Sequence, residues 1–137
     1  MKRIAVMMAG ILLLVGCATR PTTEDTYHQI SQEEAKQMMD EQDVIILDVR
    51  EPSEYEAGHI PEAVLLPVGT IDEESAAAVI PEQEDTVLVY CRSGNRSKTA
   101  AAKLAELGYT EVYEFGGITT WPYKVAVSYT HLTLPTN

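Results

Sequence analysis

The sequence predicts an α/β fold, a central and mostly parallel sheet with helices on both faces. Three observations predict it. Apolar, β-branched runs at 44–49 and 87–89 have the composition of central parallel strands, buried on both faces. Strand-like and helix-like segments alternate along the chain, and that alternation builds a parallel sheet. The strand beginning at Thr86 passes through a short polar loop into a helical stretch at 97–107, which Gly108 is placed to stop.

In order, residues 27–30 read as a short strand. Ser31 with Glu34 three residues on forms a capping box and opens a helix to about Met39. The strand at 44–49 delivers Asp48 and Arg50 to its carboxyl end, where open α/β sheets place their ligands. Pro52 starts a short helical turn that Gly58 ends. Residues 63–66 read as another buried strand, closed by Pro67. A helix over 71–80 contains Ala76, Ala77 and Ala78 and ends at Pro81. After the Thr86 strand, the loop and the 97–107 helix comes a last strand at 112–115. Gly116-Gly117 then turns the chain, and 118–123 closes the domain.

The chain of 137 residues carries a net charge of −11 and 45% hydrophobic residues, which is enough for one domain. The acidic balance speaks against nucleic acid and against electrostatic binding to anionic lipid. Against that background Arg92, Arg96 and Lys98 stand out as a local positive cluster. No metal or organic cofactor is implied.

Both ends carry signals of their own. Met1-Lys2-Arg3 is basic, and 4–15 is apolar and uncharged, too short to span a bilayer comfortably. The segment ends Leu14-Val15-Gly16-Cys17, which resembles the lipobox of bacterial lipoproteins. That resemblance implies a signal peptide at 1–16, lipidation of Cys17 and a polar tether over 17–26. It also implies an extracytoplasmic protein, lipid-anchored to a bacterial membrane on its periplasmic side or at the cell surface. With Cys17 acylated, Cys91 has no partner for an internal disulfide, and a lone thiol in an oxidising compartment favours a reason for keeping it. Residues 127–137 resemble the translation of a sequencing-library adapter and are set aside as an artefact, leaving 27–125 as the domain.

Cys91 stands at a strand end before a loop that opens a helix. Backbone N–H groups converge there, and with the helix dipole and two arginines they stabilise a thiolate. A cysteine beside an apolar strand is often only a small core residue. Arg92, Ser93, Gly94, Asn95 and Arg96 make a poor core and a good anion cradle.

The loop Cys91-Arg92-Ser93-Gly94-Asn95-Arg96-Ser97 resembles the active-site loop of the single-domain rhodaneses, the thiosulfate sulfurtransferase family. Leu47-Asp48-Val49-Arg50-Glu51, Gly58-His59-Ile60-Pro61-Glu62-Ala63, and Gly116-Gly117-Ile118 with Trp121 resemble the family's other motifs, in the expected order. The resemblance implies a rhodanese-like fold over nearly all of 27–125. It implies Cys91 as the catalytic nucleophile and Arg92, Ser93, Gly94, Asn95, Arg96 and Ser97 as substrate-binding. Arg92 would steer an anionic sulfur donor, and Arg96 would hold either substrate or the loop's shape. Ser93 and Asn95 would bond either loop or substrate. Asp48 and Arg50 support the site, more as an ion pair that orients backbone than as chemical groups. His59 reads as stabilising its turn rather than as a base, and Trp121 with Tyr123 as an apolar lid over the sheet edge.

The implied reaction moves a sulfane sulfur from thiosulfate or a similar donor, through a Cys91 persulfide, to a thiol or protein acceptor. Two rivals are a non-catalytic persulfide carrier and a phosphatase on the same fold. Phosphatases of that kind need a wider loop than the four residues between Cys91 and Arg96.

Overall fold

A computed structural model describes residues 27–127. Five strands, β1 (His28–Gln29), β2 (Ile45–Asp48), β3 (Val64–Leu65), β4 (Thr86–Cys91) and β5 (Glu111–Gly117), alternate with four helices, α1 (Gln32–Glu41), α2 (Pro52–Ala57), α3 (Glu73–Val79) and α4 (Asn95–Glu106). The sheet order is β1-β5-β4-β2-β3, and every neighbouring pair is parallel. The predicted α/β architecture is present, and the described strands pair in parallel throughout.

Local chemistry explains most boundaries. The Ser31–Glu34 capping box forms as expected, and reciprocal caps also open α2 (Glu51 with Glu54) and α3 (Asp72 with Ser75). Four expectations are corrected. The helix after the loop starts at Asn95 rather than Ser97, because Gly94 adopts φ +107° and turns the chain into the helix at once. The strand expected at 63–66 is a two-residue edge strand, with Val64 38% exposed rather than buried. The helix expected at 71–80 shrinks to Glu73–Val79, because Asp72 caps it. The last strand, expected at 112–115 with a turn at Gly116-Gly117, runs on through both glycines, and a 3-10 turn, Ile118–Thr120, follows it.

Strand alternation sorts the core into two layers. On one face Leu47, Val49, Val87, Val89, Cys91 and Val112 pack beneath α3 and α4, meeting Ala76, Ala100, Ala101 and Leu104. On the other face Ile46, Leu88, Tyr90 and Phe115 pack against Ala35 of α1 and against Ile60 and Trp121. Trp121 lies over Phe115 with ring centroids 5.4 Å apart, and Tyr123 meets Trp121 edge-on at 4.9 Å. The backbone of Ala126 exchanges two hydrogen bonds with His59, at 2.8 and 2.7 Å, so the folded unit reaches one residue past the expected end at 125. The expected signal peptide, Cys17, the tether and 128–137 lie outside the described residues.

Candidate active site

The central strand β4 carries Cys91 to its carboxyl end on the α4 face. Its sulfur accepts a hydrogen bond from the Gly94 N–H at 3.0 Å, and Ser97 Oγ lies 3.4 Å away. Gly94 is the loop residue whose amide bonds the sulfur, so the expected convergence of several amides is here one short contact. Cys91 is 1% exposed. Arg92, Ser93 and Asn95 are exposed, Arg96 is half-buried, and Gly94 and Ser97 are buried.

Strand β5 holds the loop in place. Between Val89 and Cys91 the β4–β5 register slips, and Cys91 pairs with Gly117. Gly116 takes φ +93° at this irregularity. The Arg92 carbonyl lies directly over Gly117, where any Cβ would collide with it. The same carbonyl accepts from the Thr119 N–H at 3.2 Å and from the Thr119 hydroxyl at 3.1 Å. A cleft of about 380 Å³ opens beside the loop, lined by Gln32, Ser93, Gly94, Lys98, Glu114 and Gly117 among others.

Arg96 reaches across to α2. Its guanidinium grips Glu54 of α2 through two bonds of 2.8 and 2.9 Å. Those hydrogen bonds hold the Glu54 carboxyl at a pKa of about 2, although burial pushes the other way. They also raise the pKa of Arg96. Arg96, expected to hold either substrate or the loop's shape, is paired with Glu54 in this structure.

Asp48 and Arg50 form a buried bidentate pair, with the shortest contact at 2.7 Å. Arg50 donates also to the Gly58 carbonyl at 2.6 Å. The Tyr90 hydroxyl donates to Asp48 at 2.6 Å and accepts from the Ile60 N–H at 3.0 Å. The network ties β2, β4 and the 58–60 turn together, and burial followed by the Asp48 bond raises the Tyr90 pKa. His59 stacks on Tyr55 with centroids 3.8 Å apart, and its Nδ1 lies 2.9 Å from the Tyr55 carbonyl, while its backbone bridges to Ala126.

A rhodanese-like domain matches residues 31–123, most of the chain. The chain belongs to the rhodanese-like family. It is 41% identical over 96 residues to the thiosulfate sulfurtransferase GlpE of Coxiella burnetii (strain RSA 493 / Nine Mile phase I), a match that covers 69% of this chain and 87% of that protein. It is 42% identical over 72 residues to the thiosulfate sulfurtransferase PspE of Escherichia coli (strain K12), covering 53% and 68% of the two chains. Among solved structures it resembles a rhodanese from E. coli with a TM-score of 0.59 and 32% identity, covering 63% of this chain and all of that one. The protein is thus a rhodanese-type enzyme on the rhodanese fold.

Three features of this rhodanese-like site were not singled out from sequence. Glu54 reads there only as an ordinary helix residue, yet it anchors Arg96. Tyr90 reads as part of an apolar strand, yet its hydroxyl joins Asp48 to the 58–60 turn. Glu114 is the third. It is 3% exposed, and its parity in β5 places it on the same face as Val112. A charged residue at an inward strand position was the available signal.

Proposed function

We propose that this rhodanese-type enzyme is a sulfurtransferase that carries sulfane sulfur on Cys91. The observation that carries the reading is the Cys91 sulfur at the end of the central strand, bonded by the Gly94 N–H at 3.0 Å within the loop that opens α4. The Cys91 thiolate attacks the outer sulfur of thiosulfate or a similar donor. A bond forms from Sγ to that sulfur, the sulfur–sulfonate bond breaks, and its electron pair leaves with sulfite. A thiophilic acceptor, cyanide or a thiol, then attacks the terminal sulfur and returns Cys91 as thiolate. The exposed Arg92 and Lys98 draw an anionic donor to an otherwise acidic surface. The names of the GlpE and PspE relatives support thiosulfate as the donor class.

Because Cys91 is 1% exposed, the loop must yield before a donor reaches it. That closure favours a second reading in which a protein partner opens the loop and receives the persulfide. Rapid transfer to one protein thiol, with slow turnover on cyanide, would mark the carrier. The phosphatase reading loses support from Arg96, whose guanidinium is committed to Glu54 instead of a phosphate cradle.

The test is mass spectrometry of the protein after thiosulfate treatment. One added sulfur atom on the Cys91 peptide is expected, and Cys91→Ala should release no sulfite. Undiminished sulfite release by Cys91→Ala would refute the assignment. We further propose that Cys17 carries acyl chains and holds the enzyme outside the cytoplasm at a bacterial membrane, a reading supported by the basic, apolar and lipobox-like run at 1–17.

A further inference from the structure

Ser97 has one hydroxyl proton, with Glu114, the Gly116 carbonyl at 3.4 Å and the Cys91 sulfur all within reach of its oxygen, and Glu114 much the nearest. It donates to Glu114 Oε2 at 2.6 Å, a short charge-assisted bond. Its oxygen therefore presents a lone pair to the Cys91 sulfur 3.4 Å away, and the Cys91 S–H donates into it. Glu114 Oε2 is fixed from behind by the Gly116 N–H at 2.9 Å. Cys91, Ser97 and Glu114 are 1%, 0% and 3% exposed, so water does not compete along this chain. A buried carboxylate wired through a hydroxyl to a nucleophilic thiol is placed to receive its proton.

We propose that Glu114, acting through Ser97, accepts the proton of Cys91 and so generates the attacking thiolate. The inference rests on Cys91 being the nucleophile. The Cys91 S–H bond breaks and its proton passes to Ser97 Oγ. The Ser97 O–H bond breaks in concert, and that proton passes to Glu114 Oε2. The result is a thiolate and a neutral carboxylic acid, with no change of oxidation state. Ser97 now donates to the thiolate, beside the Gly94 N–H, so these two donors stabilise the product of the transfer. Glu114 touches neither sulfur nor substrate; it is a positioning and proton-holding residue.

The surrounding charges do not replace it. From α4, Arg96 favours the thiolate but is paired with Glu54 of α2, and Lys98 lines the outer cleft. On β2, Asp48 is committed to Arg50 and Tyr90. On β1, His28 stacks on Tyr113.

The experiment is the rate of iodoacetamide alkylation of Cys91, read on its own peptide in the full chain from about pH 5.5 to about pH 9, across the ordinary thiol range. Transfer within the pair leaves the net proton count unchanged. Wild type should therefore level off to a plateau on the acid side. Glu114→Gln keeps a carbonyl oxygen for both Ser97 and Gly116 but takes up no proton. Its rate should keep falling about tenfold per pH unit below the thiol pKa and meet the wild-type rate at high pH. Parallel profiles for the two proteins, or a Glu114→Gln variant that reacts faster at low pH, would overturn the relay. Should Glu114→Gln fail to fold, Ser97→Ala gives the same reading: a lost plateau supports the relay and a retained one overturns it. The alkylation needs no sulfur donor. A wild-type plateau without sulfur loading would thus sink the sulfurtransferase reading and leave the relay standing.

Discussion

Arg96 and Glu54 tie the start of the helix that follows Cys91 to α2. The pair joins α4 to α2 across 42 residues of sequence, with the two side chains 33% and 26% exposed. Its hydrogen bonds depress the Glu54 pKa from 4.5 to about 2. A carboxylate with a depressed folded-state pKa stabilises the fold above its unfolded pKa and loses that contribution as pH falls through the folded value. The stability difference between wild type and Glu54→Gln should therefore be full above pH 4.5 and vanish as pH falls to about 2. Solvent screening of a partly exposed pair limits that difference to about 1 kcal/mol. Urea unfolding of both proteins across that range measures it, and a difference that persists at the acid end would count against the ion pair.

At the scale of elements, the β5 terminus and the 60–63 turn each put an unusual demand on one residue. The Arg92 carbonyl lies on Gly117 with no room for a Cβ, because the irregular end of β5 brings two backbones together. Gly117→Ala should lift the loop, destabilise the fold by about 2 kcal/mol and slow sulfur loading of Cys91. Denaturant unfolding and thiosulfate loading on the same sample test both effects. In the 60–63 turn the Ala63 N–H bonds the Ile60 carbonyl at 3.0 Å, with Pro61 second and Glu62 third. Glu62 takes φ +72°, the position where turns of type II favour glycine. Glu62→Gly should stabilise by about 0.5 kcal/mol, the left-handed penalty less the freedom glycine returns to the unfolded chain. A lower melting temperature for that variant would contradict the turn assignment.

For the whole molecule, a single two-faced sheet positions the chemistry. Its α4 face carries Cys91, Ser97 and Glu114, while the Asp48–Arg50–Tyr90 network braces the opposite side. Within the described residues no helix is long and apolar enough to cross a membrane. A tethered enzyme would then depend on its acyl group, since the net charge of −11 gives anionic lipid nothing to attract. Cys17→Ser should release the protein from the membrane fraction while leaving sulfur loading of Cys91 unchanged. Fractionation followed by the loading assay checks both, and a variant still in the membrane fraction would remove Cys17 as the anchor.

The order of strands and helices, the caps at Ser31 and Gly108, and the Cys91 loop are legible in the residues alone. Each of these rests on residues a few positions apart: β-branched runs, a cap and its partner three residues on, a glycine where a helix stops. The 63–66 segment reads as a fully buried strand, but β3 lies at the sheet edge and leaves Val64 exposed, which no local pattern states. The surroundings of the sulfur depend on packing between distant segments. Ser97 meets Glu114 across 17 residues, and Tyr90 meets Asp48 across 42. The physical reason is that such pairs form when strands and helices pack, so each partner alone reads as an ordinary polar residue in its own element.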